Sequence, residues 1–264
     1  AALALRQRDP EAVMACLTAD HFMSDEARFR DLLVAAHDLA LKDYLVTLGI
    51  EPTYAATGFG YIQRGEALGE VRGFAAYKAA RFKEKPQRTE AEAMIADGQH
   101  SWNSGMFVWR AGRLMQEFAA QMPDFSKQLA QIAASPTDLK PIWNGVANTT
   151  IDYGVMEGAK QVAVIPAAKL GWNDVGSWDA LFDVMAADDT GNVVYGTELL
   201  DVDAGHNLVH NTNSQRKLVA ALGVHDLVIV DTGDILLVCP RERSQEVKEF
   251  ITALKARADG AAFL

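Results

Sequence analysis

A chain of 264 residues, 49% of them hydrophobic, can bury a sizeable core as one large domain or as one domain with an appendage. A formal net charge of −10 argues against nucleic acid or an anionic membrane surface as a partner, and leaves phosphate ligands to local lysines, helix N-termini or a divalent cation. No apolar run approaches a membrane span, no signal peptide is visible, and Cys16 and Cys239 fit no metal or redox spacing, so buried thiols in a reducing cytoplasm are expected.

The chain opens without an initiator Met and inside a helix-like pattern, which reads as a cut; residues 1–7 read as the end of a helix stopped by Asp9-Pro10. Residues 12–17 are a short apolar run, expected to be a buried strand that delivers Asp20 at its C-terminal edge. Ser24 is expected to cap the next helix, with Asp25 and Glu26 in its first turn and Phe29, Leu32, Leu33, Ala36 and Leu39 on its apolar face. Residues 44–50 make the following strand. Strand, helix, strand predicts a βαβ unit of a parallel sheet, with ligands beyond the strands' C-terminal ends. Gly58, Gly60 and Gly65 then surround Phe59, Tyr61 and Ile62, which predicts either backbone that approaches a sugar or phosphate closely or a plain hairpin turn. Residues 74–82 read as a strand running into Lys83-Glu84-Lys85-Pro86, a tetrapeptide that by itself is an ordinary solvated loop. Thr89 and Glu92 have the spacing of a capping box for a short helix ending at Gly98. Asn103, between Trp102 and Ser104-Gly105, either offers a sugar hydroxyl a donor and an acceptor or forms a turn, ahead of an apolar strand at 106–109.

Helices are expected at 111–121 and 125–134, another opens across 150–157, and a strand follows at 162–166. That strand leads into Gly171-Trp172-Asn173-Asp174-Val175-Gly176-Ser177-Trp178, an acid in a turn flanked by two glycines and two tryptophans. A short helix leaves it with Trp178, Leu181, Phe182 and Met185 on one face. Asp174 is therefore placed where a ligand can reach it; an Asx-type turn entering a helix is the alternative. From about Gly191 short strands separated by Gly, Asp and Asn turns predict an all-β appendage, closed by a helix that Ser244 caps and whose Val247, Phe250, Ile251 and Leu254 pack back on it. The turn cluster at 188–191 divides the chain into domains 1–188 and 189–264.

Two acids at sheet edges, a lysine after a strand and glycine-rich turns suit phosphate chemistry, because Mg²⁺ is held by one or two carboxylates plus substrate phosphate oxygens. The segments T-A-D-H (18–21), P-T-…-T-G-F-G-Y-I (52–62), F-K-E-K-P (82–86), W-N-S-G-M-F (102–107), T-I-D-Y-G-V-M-E (150–157) and G-W-N-D-V-G-S-W (171–178), in that order, resemble the mannose-1-phosphate guanylyltransferase family. The resemblance spans essentially the whole chain. It implies an α/β fold: a Rossmann-like (GT-A-like) mixed sheet flanked by helices, N-terminally incomplete, plus a small β-helix-like C-terminal domain with a terminal helix. It implies nucleotidyl transfer from GTP to mannose 1-phosphate, with Asp20 and Asp174 holding Mg²⁺, Lys85 holding the sugar phosphate, and Gly60, Glu84, Asn103 and Asp152 contacting mannose. Two other readings stay open: a related enzyme using another sugar 1-phosphate, and a non-catalytic sugar-phosphate-binding regulatory subunit. A homodimer is compatible with the sequence, which does not fix the oligomeric state. Thr18 stands where the family usually has proline, and Ala56 where it often has an acid. The family's opening strand and glycine-rich basic loop for the GTP phosphates have no counterpart here, nor has the isomerase domain of longer relatives. The chain as given is therefore expected to lack isomerase activity and, alone, not to form GDP-mannose.

Overall fold

The computed structural model describes residues 1–213 and 217–263. In chain order its helices and strands are α1 (Ala2–Arg8), β1 (Val13–Cys16), β2 (Phe22–Met23), α2 (Glu26–Ala40), β3 (Leu45–Ile50), β4 (Tyr61–Val71), β5 (Phe74–Lys83), α3 (Arg88–Ala96), β6 (His100–Arg110), α4 (Ala111–Gln121), α5 (Pro123–Ala134) and α6 (Leu139–Asn144). There follow β7 (Val162–Pro166), β8 (Trp172–Asn173), α7 (Leu181–Val184), β9 (Val193–Tyr195), β10 (Glu198–Val202), β11 (Leu208–Asn211), β12 (Leu218–Leu222), β13 (Leu227–Asp231), β14 (Leu236–Pro240) and α8 (Lys248–Ala256). Contacts divide them into one unit of Ala1–Ala19 with Asp25–Leu170 and a second of Asp20–Ser24 with Gly171–Leu264. This differs from the division by composition at 188 and 189, because residues 171–188 and the short segment Asp20–Ser24 both fall in the second unit.

The first unit is built on a six-stranded sheet in the order β1-β6-β3-β7-β5-β4. The β3–β7 pair is parallel, whereas β1–β6, β3–β6, β5–β7 and β4–β5 are antiparallel. β1 and β3, on either side of α2 in the chain, therefore run parallel, but β6 lies between them, so they are not neighbours as a simple βαβ unit predicts. Every residue of β3 is buried, as an interior strand of apolar run Leu45-Val46 and Leu48 requires. Burial of Phe107, Trp109, Leu114, Met156 and Val162 together closes one core, against which Cys16, Phe82, Phe118 and Met122 pack. Cys16 and Cys239 are free thiols, only partly buried, and burial raises both pKa values.

Four local expectations change. Asp25, not Ser24, caps α2, accepting from Arg28 N at 2.9 Å; the Ser24 N–H instead donates to Gly171 O at 3.2 Å. No capping box forms at α3: its N-cap is Gln87, Thr89 lies inside the helix, and Glu92 Oε1 takes Arg88 Nε at 3.1 Å. Asn103 is no turn residue but sits within the eleven-residue β6, and Gly65 lies within the equally long β4, where the register slips against β5. The segment opening across 150–157 winds as a π-type turn at Asp152–Met156, the Glu157 N–H donating to Asp152 O at 3.0 Å.

In the second unit β9, β11 and β13 stack in parallel, β14 closes that ladder antiparallel, and β10 pairs in parallel with β12. Val193, Leu208, Val228 and Val230 form its core, and Trp178, Leu181, Phe182 and Met185 pack on it, which is the face their spacing predicts. Buried Asn192 and Asn207 stitch successive turns: Asn207 N and Nδ2 both donate to Asn192 Oδ1, at 3.0 and 3.1 Å. The expectation for the last helix is overturned in two respects. Ser244 is buried within a 3₁₀ stretch, Arg241–Val247, ahead of α8, and Phe250 and Ile251 stand exposed rather than packed. Periodicity reports that a nine-residue helix has an apolar face, not that the face is covered. Among the described residues no helix is long and apolar enough to cross a membrane.

Candidate functional site

Five of the residues singled out by sequence meet in the first unit. The start of β4 lies between β5 and β6, pairing Tyr61 with Lys83 on one side and with Trp102 on the other. The residues just outside those pairs, Gly60, Glu84 and Asn103, are thereby drawn together, and the Asn103 N–H donates to Gly60 O at 2.8 Å. Gly60 leaves room for the Glu84 carboxylate. A Cβ there would overlap Glu84 Oε2 and come within 3.3 Å of Asn103 Cβ. Asn103 Nδ2 donates to Asp152 Oδ1 at 2.7 Å, so the π-type turn delivers the fourth member. Burial of the Glu84 carboxyl raises its pKa above 4.5; Asp152 and Glu157 push the same way, and Lys85 opposes.

Lys85 closes the cluster from a strained backbone. Its φ is 45°, in the left-handed region that a side-chain-bearing residue occupies at a cost of ~1–2 kcal/mol, and its N–H donates to Phe59 O at 3.2 Å. The ammonium lies 3.8 Å from Glu84 Oε1 while the Lys85 side chain is 63% exposed, so it can turn toward an anion without losing a buried partner. Edge-on aromatic contacts of Tyr54 and Phe59 with Trp102, each 5.0 Å between ring centres, wall the neighbouring loop.

The second unit brings Asp20 and Asp174 together. Antiparallel β2 and β8 pair Phe22 with Asn173 and Met23 with Trp172, so the residues before Phe22 run beside those after Asn173. His21 lies between the two acids electrostatically: burial lowers its pKa, and both Asp20 and Asp174 raise it against that trend. Trp172 Nε1 donates to His21 Nδ1 at 3.0 Å, which requires an unprotonated Nδ1 and hence a neutral ring. Asp174 sits in an Asx-type turn, but a special one. Val175 has φ 47°, an outlier for a β-branched residue, and a Cβ on Gly176 would lie 2.9 Å from Asp174 Oδ2. Among the described residues no group of three or more His, Cys, Asp or Glu side chains could hold a metal by itself. Two carboxylates without a third protein ligand are what Mg²⁺ uses when substrate phosphate oxygens complete its shell, so the donor set fits that cation.

Three participants escaped the sequence reading. Thr47, the one hydroxyl in aliphatic β3, touches Asn103; its isolation among Leu45, Val46, Leu48 and Ile50 was the available signal. His21 was visible as the neighbour of Asp20, and Val175 as a branched residue wedged between Asp174 and Gly176.

The model of the nucleotidyl transferase family matches residues 1–191, and that of a MannoseP isomerase/GMP-like beta-helix domain matches residues 197–254. A mannose-1-phosphate guanylyltransferase of Klebsiella pneumoniae is 40% identical over 97% of this chain and 54% of its own length. The xanthan biosynthesis protein XanB of Xanthomonas campestris pv. campestris is 34% identical over the same shares, 97% and 54%. The chain thus spans about half the length of the curated relatives it matches. A crystal structure from Thermus thermophilus, described as a mannose-1-phosphate geranyltransferase, superposes with a TM-score of 0.85 at 32% identity, covering 97% of this chain and 73% of the other.

Proposed function

The chain belongs to the nucleotidyl transferase family, and from that premise we propose that its protein forms GDP-mannose and pyrophosphate from GTP and mannose 1-phosphate. The observation that carries the sugar half is the Gly60, Glu84, Asn103 and Asp152 cluster, which sets carboxylate acceptors and an amide donor side by side with the Lys85 ammonium at its edge. Such a set matches a polyhydroxylated ring bearing one phosphate: hydroxyls donate to Glu84 and Asp152, Asn103 Nδ2 donates back, and Lys85 supplies a point charge to the phosphate. The names of the relatives support mannose as the sugar and guanylyl as the transferred group.

Asp20 and Asp174 are the residues that would hold a divalent cation, Mg²⁺ in this reading. When bound, such an ion neutralises charge on the nucleotide phosphates. The bond changes are an in-line displacement: an oxygen of mannose 1-phosphate bonds to the α-phosphorus of GTP, the α–β bridging bond breaks, and its electrons leave with pyrophosphate. Nothing covalent forms on the protein, and its contribution is positioning and electrostatic stabilisation. Neutral His21 keeps a second positive charge away from Asp20 and Asp174, so their charge remains available to the cation. Residues 1–188 are assigned as the catalytic domain and 189–264 as the β-rich domain, a division that the family-model limits support. The cytoplasm is the proposed compartment, in keeping with the free thiols of Cys16 and Cys239.

The test is pyrophosphate release by the protein of the complete reading frame, with GTP, ATP, mannose 1-phosphate and glucose 1-phosphate in all pairings. GTP with mannose 1-phosphate should be strongly preferred. A preference for another sugar would point to the position of Ala56, where the family often carries an acid. Sugar-phosphate binding without turnover on any pair would replace this reading by that of a regulatory subunit.

A further inference from the structure

We infer that Thr47 is a positioning residue that locks the Asn103 carboxamide in the one orientation able to serve a sugar hydroxyl. The inference rests on the proposed sugar contact of Asn103 and deepens it. Thr47 lies in the middle of β3 and is 1% exposed, among residues that offer a hydroxyl nothing. A buried hydroxyl without a partner costs free energy, so what Thr47 bonds to indicates why it is there. Its hydroxyl donates to Asn103 Oδ1 at 3.3 Å.

The strands do not bring these residues together by simple register. Thr47 is paired with Phe107, while Asn103 is paired with Gly49, two residues further along β3. The offset is taken up by a bulge in β6 over Ser104, Gly105 and Met106, with Gly105 at φ 69°. That left-handed residue turns its own N–H back onto Asn103 Oδ1, also at 3.3 Å. The amide oxygen therefore receives two donors, matching its two lone pairs.

The consequence falls on the nitrogen. A carboxamide rotated by about 180° would point its NH₂ at the Thr47 hydroxyl and the Gly105 N–H, and its oxygen at the Asp152 carboxylate. With Thr47 and Gly105 holding the oxygen, Nδ2 faces Asp152 at 2.7 Å, and among the described residues one of its two hydrogens has no protein acceptor. A hydrogen held in that direction donates to a ligand hydroxyl without a rotamer search. Gly105 contributes a backbone donor that cannot be removed by substitution. Thr47 is the side chain through which the lock can be tested.

The experiment uses the protein of the complete reading frame and compares Thr47→Val, which keeps the branched shape without the donor, with Thr47→Ser, which keeps the donor. KM for mannose 1-phosphate, KM for GTP, kcat and Tm are measured for each, alone and with Asn103→Ala. Thr47→Val should raise KM for mannose 1-phosphate by about 3- to 10-fold, the range for losing one hydrogen bond, while KM for GTP and kcat stay within about 2-fold. Thr47→Ser should restore wild-type KM, and Thr47→Val should have no further effect once Asn103 is Ala. Equal rises in both KM values, or a rise that Ser does not reverse, would make Thr47 a packing residue and overturn the inference. So would an unchanged KM in Thr47→Val alongside a raised one in Asn103→Ala. If Asn103→Ala itself leaves sugar-phosphate binding intact, the proposed sugar contact falls, and the inference with it. Thr47→Ala covers the case in which Val does not fold.

Discussion

Gly60→Ala tests the proposed sugar cluster apart from the stability of the fold. Gly60 has no left-handed φ, so its backbone admits alanine, and the lost flexibility of the unfolded chain should stabilise by ~0.4–1 kcal/mol. What the new Cβ meets is the Glu84 carboxylate, with Asn103 Cβ at 3.3 Å behind it. To regain ordinary contact the carboxylate must retreat by on the order of 1 Å, because carbon and oxygen overlap steeply inside their contact distance. The Glu84 side chain is only 18% exposed and has little room to swing clear, so the displacement is spent on the atoms proposed to accept sugar hydroxyls. Misplacement on the order of 1 Å can cost ~100-fold, which sets the upper end of the expected loss in kcat/KM for mannose 1-phosphate. Calorimetric titration with mannose 1-phosphate, initial rates at saturating GTP, and Tm would be recorded together. Affinity should fall by ~10- to 100-fold with Tm unchanged or raised. In a Glu84→Ala background the same Gly60→Ala change has no carboxylate to displace and should add almost nothing. Wild-type affinity in Gly60→Ala, or an undiminished loss in the double variant, would refute the placing of the sugar against Glu84.

Asp174→Asn and Asp20→Asn should each cut turnover by ~100-fold or more, about 3 kcal/mol of transition-state charge stabilisation, with Tm little changed; together they should fall short of additivity, and normal turnover at limiting Mg²⁺ would remove them from the cation site. Lys85→Gly should release the strain at φ 45° and raise Tm while raising KM for mannose 1-phosphate more than for GTP; a lower Tm would show that the conformation is not strained. The raised pKa of Glu84 gives a pH signature whose sign is fixed. The unfolded carboxyl loses its proton first, near 4.5, so the native state loses stability as pH rises from there through the elevated native value, and the penalty persists above it. Glu84→Gln should therefore match wild type below pH 4.5 in denaturant midpoint and exceed it at neutral pH, whereas a difference that stays constant from acid to neutral pH would assign the effect to something other than ionisation.

Much of the candidate site was legible because it is carried by residues whose chemistry is unusual for their surroundings. Asp174 between glycines, Glu84-Lys85 after a strand and Asn103 between aromatic and small residues all stand out in the sequence, and spacing alone found the Trp178, Leu181, Phe182, Met185 face. Local rules failed where the helix began at a neighbour of the residue expected to cap it. Ser24 has the right chemistry to cap α2, but the helix begins at Glu26, so Asp25 holds the N-cap position and its carboxylate accepts from Arg28 N. Thr89 and Glu92 have the spacing of a capping box, but the helix begins at Arg88 with Gln87 as its N-cap, which puts Thr89 inside the helix and Glu92 past the N3 position. The strand β4 was hidden by Gln63, Arg64, Gly65 and Glu66, a polar and flexible run that reads as a turn. Register against β5 and β6 holds it extended nonetheless, which is tertiary pairing overriding local propensity.

The strained residues were the least legible feature and say the most about how the acids are held. Sequence attributes the Asp174 turn to its glycines, yet the left-handed residue beside the acid is Val175, the type least suited to that conformation. Gly176 has a different task, keeping a Cβ away from Asp174 Oδ2. The Val175 N–H donates to Asn173 Oδ1 at 2.7 Å, so β8 fixes the turn from its near side, and the packed face that begins at Trp178 fixes it from the far side. A glycine at 175 would relieve the strain and let the turn sample other conformations. Valine, once forced left-handed, has very few, so the backbone that carries the carboxylate is held by the fold. Lys85 repeats the arrangement in the first unit, a left-handed backbone just after a strand end that is tied by one N–H to Phe59 O. In both places the strain sits where a charged group is proposed to meet phosphate or its counterion, and the surrounding packing is what can sustain it.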